Sequence, residues 1–306
     1  MSGGSSLSEI PQQNRLYGKE YLNMSNSLDF IGFGGQKCAT SWIFHNLDQH
    51  PGVSFGKRKE LRFFHECNYI KGIDWYLNEL QVRKGVLNGD ITPGYLTDPV
   101  VPARIAKHFP NVRLFACLRN PVDRAFSAYR YSLQLEALPD SFEEALKMKP
   151  GLVFGSQYAE GVRRYLDIFP PAQLLFFRFC DVKRRPELIL ERVLKHIGIE
   201  NPGRVHPLPA TNVSGSARSQ TVSKLCGWAQ ELRRTSVGRI FMHGDMYDKA
   251  SWRVRKVIRR FNTVNSSSPV LEYDVRKRVF KKYFQKDVEF LASLTGLDLS
   301  DWIPGR

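Results

Sequence analysis

The residues best suited to chemistry lie in a glycine-rich stretch near the N-terminus. An apolar run ends at Gly34 and Gly35, a lysine follows at Lys37, and Thr40 and Ser41 open a helical pattern. A strand, a tight turn and a helix N-terminus in this order bind anions, because free backbone N–H groups point at the ligand. The stretch therefore predicts a phosphate-binding loop.

The position of the lysine separates this loop from that of common nucleoside triphosphatases. When Gly34 is aligned with the first glycine of G-x-x-x-x-G-K-[ST], the lysine position holds Thr40. Lys37 precedes it and is followed by Cys38, whereas Mg²⁺ prefers hard oxygen ligands. We expect backbone amides to hold a 5′-phosphate group. The group beyond this phosphate is expected to bind without the Mg²⁺ ion that the loop of a nucleoside triphosphatase coordinates.

A second anion site is predicted where a buried strand runs directly into a helix. Arg119 comes at the end of the strand pattern, Asn120 and Pro121 suit a helix start, and Ser127 follows two turns into the helix. An arginine at the carboxyl end of a strand and a hydroxyl on the next helix can bind one anion together, and we expect this site beside the first.

The elements that must position these residues alternate along the chain. Their order predicts an α/β fold, a P-loop-like three-layer sandwich with a central parallel sheet and helices on both faces. We expect a mobile polar extension over 1–27, then one domain over 28–306 that ends in a helical, basic C-terminal segment. Strand-like runs lie near 29–34, 85–90, 112–118 and 173–179, and helical patterns near 40–49, 72–81, 99–109, 121–135, 157–168 and 186–197.

Several ordered motifs carry a family resemblance. Lys37 to Trp42 is similar to a 5′ loop that reads K-x-G-T-[TS]-W, and Leu118 to Tyr129 matches a 3′ segment that reads L-R-[ND]-P-x-x-R-x-x-S-x-[YF]. The chain thereby resembles sulfotransferases that use 3′-phosphoadenosine 5′-phosphosulfate (PAPS), nearest to the carbohydrate and heparan-sulfate-like branch, which has bacterial members. Further similar segments are His50-Pro51, Lys59 to Phe64, Thr92 to Leu96, Gln173 to Asp181, Asn212 to Arg218 and Leu297 to Trp302.

The resemblance implies a reaction and a set of site residues. PAPS would be the co-substrate, and its sulfuryl group would pass by in-line displacement to an acceptor hydroxyl or amine, with no metal required. Lys37 would stabilise the leaving group. The residues implied in binding PAPS are Lys37, Cys38, Ala39, Thr40, Ser41, Trp42, Arg119, Ser127 and Arg218.

The general base is less sharply defined than the nucleotide site. The resemblance implies Glu60 as base, with His65 as the alternative and Asp90 as a residue that could orient the acceptor or the base. Two departures bear on the site. Ala39 replaces the glycine of the loop, which predicts a negative φ there. Ile91 replaces a lysine of the heparan 3-O-type enzymes, which argues against copying their acceptor contacts.

The net charge of +15 is concentrated toward the C-terminus, where residues 201–306 hold 19 Lys/Arg against 9 Asp/Glu. The basic stretches 252–261 and 275–290 are either a solvated helix face or a surface for an anionic acceptor. The acceptor predicted is a carbohydrate or glycolipid, with peripheral membrane contact through the basic segment. Nucleic acid is not expected, because no basic motif interleaved with aromatic residues occurs.

Apolar runs and cysteine spacing bear on the cellular compartment of the protein. No apolar run approaches the ~18 residues of a membrane span, and five cysteines lack paired spacing. Cys117 and Cys180 are predicted in buried strands. This pattern favours a bacterial cytoplasmic enzyme, with a trimmed Golgi lumenal domain as the alternative. The rival functions are a small-molecule kinase, which would need a lysine at Thr40, and a non-catalytic polyanion-binding protein.

Overall fold

A computed structural model describes residues 27–133, 138–199, 206–209 and 271–305, together with a short backbone ladder at 216–217 and 263–264. Its main sheet has five parallel strands in the order β2-β3-β1-β4-β5. The predicted parallel sheet is confirmed, and within it the three-residue edge strand β2 was not predicted. The strands are β1 (Phe30–Gly32), β2 (Val53–Phe55), β3 (Leu87–Ile91), β4 (Arg113–Leu118) and β5 (Leu174–Arg178), with β6 (Ser216–Ala217) and β7 (Thr263–Val264) in the separate antiparallel ladder.

Helices cover both faces of the sheet. They are α1 (Thr40–Asp48), α2 (Glu66–Tyr69), α3 (Ile73–Leu80), α4 (Val101–His108), α5 (Pro121–Ser132), α6 (Phe142–Met148), α7 (Gly151–Phe154), α8 (Ala159–Leu166), α9 (Phe179–Arg184), α10 (Pro186–Ile197), α11 (Tyr273–Tyr283) and α12 (Gln285–Thr295). Short 3₁₀ turns lie at Pro93–Leu96, Pro171–Gln173 and Ser300–Trp302.

The alternation of side chains along β4 explains the three layers. Leu114, Ala116 and Leu118 point into one hydrophobic cluster, which α4, α5, α8, α11 and α12 help to build. Phe115 and Cys117 point into a second cluster beneath α1 and α10. Because successive strand residues face opposite sides, a strand that is apolar throughout must be covered on both. The predicted sandwich is confirmed.

The basic C-terminal helices belong to the same packed body. Val279 and Phe280 of α11 are buried in the larger cluster, and Arg276 donates to the Asp123 carboxylate of α5 at 2.5 Å. Asp287 of α12 accepts hydrogen bonds from the first backbone N–H groups of α8. The stretch 275–290 is helical as predicted. The basic stretch 252–261 and residues 1–26 lie outside the described residues.

One cysteine differs from its prediction. Cys117 is buried in β4, but Cys180 lies in α9 and is partly exposed. Strand β5 ends at Arg178, whose guanidinium bonds the Asp181 carboxylate, and the chain turns into a helix there. Among the described residues, no helix combines the length and apolar character that crossing a bilayer needs.

Candidate active site

The phosphate loop joins β1 to α1 and lies against the neighbouring strand. A Cβ atom at Gly34 would fall 2.6 Å from the backbone nitrogen of Cys117, so the loop can approach β4 only with glycine there. Helix α1 begins at Thr40, and its N-cap residue, Ala39, offers no side-chain acceptor. The first N–H groups of α1 are therefore available to bind an anion.

The loop backbone is left-handed at two positions. Lys37 has φ 67° and Ala39 has φ 60°, so the expectation of a negative φ at Ala39 was wrong. The chain reverses direction immediately before α1, and the left-handed conformation at the N-cap accomplishes that turn despite the Cβ atom. The left-handed conformation costs roughly 1–2 kcal/mol for each residue that is not glycine. Where right-handed and left-handed residues alternate, successive backbone N–H groups point into one concavity that can bind an anion.

Ala39→Gly is expected to increase the free energy of unfolding by up to about 1 kcal/mol, because relief of the left-handed strain outweighs the entropy that glycine adds to the unfolded chain. Urea denaturation measures this. Ala103→Gly, at an exposed helical position of α4, is the control and should instead destabilise. A loss of stability in Ala39→Gly would contradict the strain argument.

The second anion motif lies directly beside the loop. The Asn120 side chain caps α5 by accepting from the N–H groups of Val122 and Asp123. Arg119, immediately before this cap, donates from Nη1 to the Lys37 carbonyl at 3.2 Å. Its Nε is buried and has no hydrogen-bond partner among the described residues, which is consistent with a site for an anion.

The Lys37 side chain reaches helix α5, which also carries Ser127. Ser127 is nearly buried, and Tyr131 follows one turn later on the same side of the helix. The ammonium group of Lys37 lies 4.8 Å from the centroid of the Tyr131 ring. Lys37 therefore contacts Arg119 through its carbonyl and Tyr131 through its ammonium group.

An arginine that the sequence analysis did not name ties the loop to α5. Arg124 is 4 % exposed and donates from Nε to the Gln36 carbonyl at 3.2 Å, while Nη1 donates to the Leu152 carbonyl and to Ser156. It is the second arginine of the 3′ segment, so its place in that motif was the available signal. We assign it a positioning role, because its donors are directed at protein groups.

The Cys38 side chain is buried against protein groups, and its Sγ donates to the Gln36 carbonyl of the loop at 3.5 Å. Its Sγ is buried 3.9 Å from the Tyr158 hydroxyl, and burial raises the pKa of the thiol. Only the backbone of Cys38 is therefore a candidate phosphate ligand.

Trp42 is buried in α1 and anchors a distant segment. Its Nε1 donates to the Leu208 carbonyl at 2.7 Å, and the Asn46 side chain accepts from the Leu208 N–H at 2.8 Å. Segment 206–209 precedes the family-like stretch 212–218, which contains the candidate nucleotide ligand Arg218. Arg218 itself lies outside the described residues.

Glu60 is placed beside the phosphate loop by its neighbour Lys59. The Lys59 Nζ lies 3.3 Å from Thr40 Oγ1, 3.1 Å from Ser41 Oγ and 3.4 Å from Glu60 Oε1. Arg62 Nε lies 3.8 Å from the other carboxylate oxygen of Glu60. Glu60 is partly exposed, so its carboxylate can reach an acceptor. Lys59 connects this carboxylate to the nucleotide site.

The segment that carries Glu60 is held in a strained conformation. Arg62 has φ 57°, and its N–H donates to Thr92 Oγ1 at 3.4 Å. The Asn68 side chain donates to the Arg62 and Leu61 carbonyls. Non-glycine residues keep such a backbone only where the surroundings fix it.

His65, the alternative base, belongs to a different pair. Its Nδ1 lies 2.7 Å from Asp98 Oδ2, and its ring packs against Tyr95. A carboxylate in this position orients an imidazole, so the His65–Asp98 pair retains the chemistry of a general base. The structure shows no contact between this pair and the phosphate loop among the described residues.

Asp90 is sealed inside the protein below the Glu60 segment. Its carboxylate accepts from Thr92 Oγ1 at 3.0 Å, from the Tyr95 hydroxyl at 3.1 Å and from the Tyr76 hydroxyl at 3.3 Å. It also accepts from the Leu61 N–H, and burial raises the pKa of Asp90 to about 6. With 1 % exposure it can orient the segment but cannot meet an acceptor.

Asp90→Asn is expected to remove a pH dependence of stability. The pKa rises from 3.8 to about 6 on folding, so the folded state binds the proton more tightly and the free energy of unfolding falls as pH rises through this window. The fall is on the order of 3 kcal/mol. Urea denaturation between about pH 4 and pH 7 measures it. Asp48→Asn, on the exposed end of α1, is the control, and an unchanged slope in Asp90→Asn would refute the argument.

Comparisons with known proteins identify the family of the chain. The family model of the sulfotransferase domain matches residues 29–266. The chain is 29 % identical over 193 residues to the human bifunctional heparan sulfate N-deacetylase/N-sulfotransferase 3, covering 56 % of this chain and 22 % of that protein. It is 31 % identical over 110 residues to the membrane-associated sulfotransferase kil1 of Dictyostelium discoideum, covering 35 % and 23 %. The chain thus spans about a fifth of the length of these curated relatives.

A solved structure supports the fold independently. The crystal structure of a sulfotransferase from Alicyclobacillus acidocaldarius superposes with a TM-score of 0.62 at 23 % identity, covering 90 % of this chain and 98 % of that one. The likeness is one of fold, and the residues that the family model matches include both anion motifs and Glu60. The resemblance seen in the sequence is confirmed: the chain belongs to the sulfotransferase domain family.

Proposed function

We propose that the protein transfers the sulfuryl group of PAPS to a hydroxyl or amine of a carbohydrate or glycolipid. The observation that carries the proposal is the direct contact between the two anion motifs, made by Arg119 Nη1 and the Lys37 carbonyl. PAPS has a phosphosulfate at its 5′ end and a phosphate at its 3′ end. Two adjoining anion sites fit such a nucleotide.

Each site has donors suited to its half of the nucleotide. The α1 N-terminus, with Thr40 and Ser41, would hold the 5′-phosphate through backbone N–H groups and hydroxyls. Arg119 and Ser127 would hold the 3′-phosphate, and the unpartnered Nε of Arg119 supplies a donor for it. Arg218 is a further candidate from the family motif.

The chemistry requires positioning, charge neutralisation and removal of one proton. The acceptor attacks sulfur in line with the departing 5′-phosphate, and Lys37 would neutralise the charge that develops there, without a metal. Glu60 would accept the acceptor proton, since its exposed carboxylate adjoins the loop through Lys59.

Nucleotide preference tests the proposal against its rivals. 3′-Phosphoadenosine 5′-phosphate (PAP), the desulfonated product, should raise the melting temperature without magnesium, and more than Mg-ATP does. Greater stabilisation by Mg-ATP would favour a kinase. Stabilisation by heparin but by neither nucleotide would favour a non-catalytic polyanion-binding protein.

Arg119→Ala is expected to weaken PAP binding by roughly 1.5–3 kcal/mol, because a charge-assisted hydrogen bond to the 3′-phosphate is lost. It should also erase the preference for PAP over adenosine 5′-phosphate. Isothermal titration calorimetry measures both, with Arg113→Ala at the opposite end of β4 as control. Retained discrimination would place the 3′ site elsewhere, most simply at Arg218.

The acceptor is proposed from the relatives, among them the human heparan sulfate N-deacetylase/N-sulfotransferase 3. Transfer of labelled sulfate from PAPS to N-deacetylated heparan, compared with the same polymer in N-acetylated form, separates amine from hydroxyl acceptors. Transfer to neither polymer would direct the search to glycolipids. A bacterial cytoplasmic location and membrane contact through the basic segment remain predictions.

A further inference from the structure

We propose that Lys59 is a second cation of the active site, which holds the oxygens of the transferred sulfuryl group between the N-terminus of α1 and the Glu60 carboxylate. This inference rests on the proposed function and adds to it a residue that the motifs did not assign. Lys59 would lie between the nucleotide loop and the candidate base.

The contacts of Lys59 place its charge at that junction. Its Nζ lies within hydrogen-bonding distance of the Thr40 and Ser41 hydroxyls, on the first turn of α1. Its third close partner is Glu60 Oε1 at 3.4 Å. A single ammonium group therefore touches both the candidate 5′-phosphate cradle and the candidate base.

The burial of Lys59 distinguishes it from a solvated surface lysine. Its side chain is only 20 % exposed, and burial lowers its pKa although the nearby Glu60 carboxylate opposes the shift. Lys57, two residues earlier, is 43 % exposed and pairs with Glu79 at 3.1 Å. Two neutral hydroxyls and one long ion pair compensate a desolvated ammonium only partly, so the site favours an additional anion.

The two lysines reach the loop from different elements. The Lys37 ammonium lies against Tyr131 of α5, on the side of Ser127 and the candidate 3′-phosphate site. The Lys59 ammonium comes from the segment after β2 and lies on the Glu60 side. Because Lys59 contacts both the start of α1 and Glu60, it is suited to the group being transferred.

The reaction supplies a reason for a cation at this point. The acceptor oxygen or nitrogen forms a bond to sulfur, the bond from sulfur to the bridging oxygen breaks, and its electron pair remains on the 5′-phosphate of PAP. The acceptor proton passes to Glu60. A carboxylate must thus come close to an anionic sulfuryl group, and an ammonium between them offsets the repulsion. Lys59 keeps its own protons throughout.

Binding of PAPS relative to PAP tests the inference without an acceptor. Because only PAPS carries the sulfuryl group, Lys59→Met should weaken PAPS binding roughly 10- to 100-fold, the worth of a charge-assisted hydrogen bond. PAP binding should change by less than about threefold, since the 5′-phosphate retains its helix N-terminus. Lys59→Arg should recover most of the PAPS affinity, and Lys57→Met should behave as wild type in both titrations.

Turnover provides a second measurement, with N-deacetylated heparan and N-acetylated heparan as acceptors. Lys59→Met should lower kcat roughly 10²- to 10³-fold, as removal of a preorganised donor does. Melting temperatures of all variants identify loss of folding, and Lys59→Gln replaces Lys59→Met if the latter does not fold.

An unchanged ratio of PAPS to PAP affinity in Lys59→Met would overturn the inference while leaving the proposed function intact. Equal losses for both nucleotides would also overturn it, since Lys59 would then be a phosphate ligand or a structural residue. If the wild-type protein bound neither nucleotide, the proposed function itself would fail and the inference with it.

Discussion

Glu60→Gln is expected to lower turnover by roughly 10²- to 10⁴-fold, the range of general-base catalysis. Glutamine keeps the shape and hydrogen-bonding reach of glutamate but cannot accept a proton at neutral pH. PAP affinity should change little, because Glu60 meets the nucleotide loop only through Lys59. Single-turnover transfer from PAPS, together with PAP titration, separates the two effects.

Glu66→Gln is the matched control, since Glu66 lies in the neighbouring helix α2 and its side chain is 77 % exposed. Its turnover should remain that of the wild type. Near-normal turnover in Glu60→Gln would transfer the base role to His65, and His65→Asn would then carry the large loss. Asp90 is too deeply buried to take that role, so its variants should act through the Glu60 segment.

Lys37→Ala is expected to reduce kcat roughly 10²- to 10³-fold, as removal of a charge that stabilises a developing anion does. The Kd for PAP should rise far less, because the charge is most needed when the 5′-phosphate becomes the leaving group. Rapid-quench measurement of the chemical step and calorimetric titration of PAP test this prediction, with Lys57→Ala as control.

Equal losses of affinity and turnover in Lys37→Ala would reduce Lys37 to a binding residue. That outcome would be informative, because the Lys37 ammonium lies beside Tyr131, one helical turn beyond Ser127 of the candidate 3′ site. A loss confined to PAP affinity would assign Lys37 to the 3′-phosphate instead.

The sequence alone was sufficient for features that depend on local pattern. Alternation of apolar runs with helical periodicity predicted the parallel sheet and its two helical layers. The order of strands and helices predicted the second anion motif beside the first, and Arg119 does contact the Lys37 carbonyl. Both motifs follow parallel strands, and β1 and β4 are neighbours whose carboxyl ends lie at one edge of the sheet.

Packing between distant segments determined what local pattern could not. The negative φ expected at Ala39 was wrong, because the close approach of the loop to β4 and the start of α1 dictate the backbone there. Arg124 was missed because its function is to bond carbonyls of segments far along the chain.

Lys59 shows the limit most clearly. In the sequence it is one of three consecutive basic residues, Lys57 to Lys59, and it begins the family-like segment Lys59 to Phe64, but the motif assigned it no role. Its partners Thr40 and Ser41 are distant in sequence, and only the folding of the segment after β2 onto α1 buries its ammonium beside Glu60. Residue type and spacing thus determined which chemical groups this protein carries. Burial and long-range contact, which depend on the whole fold, determined which of those charges face one another across the site.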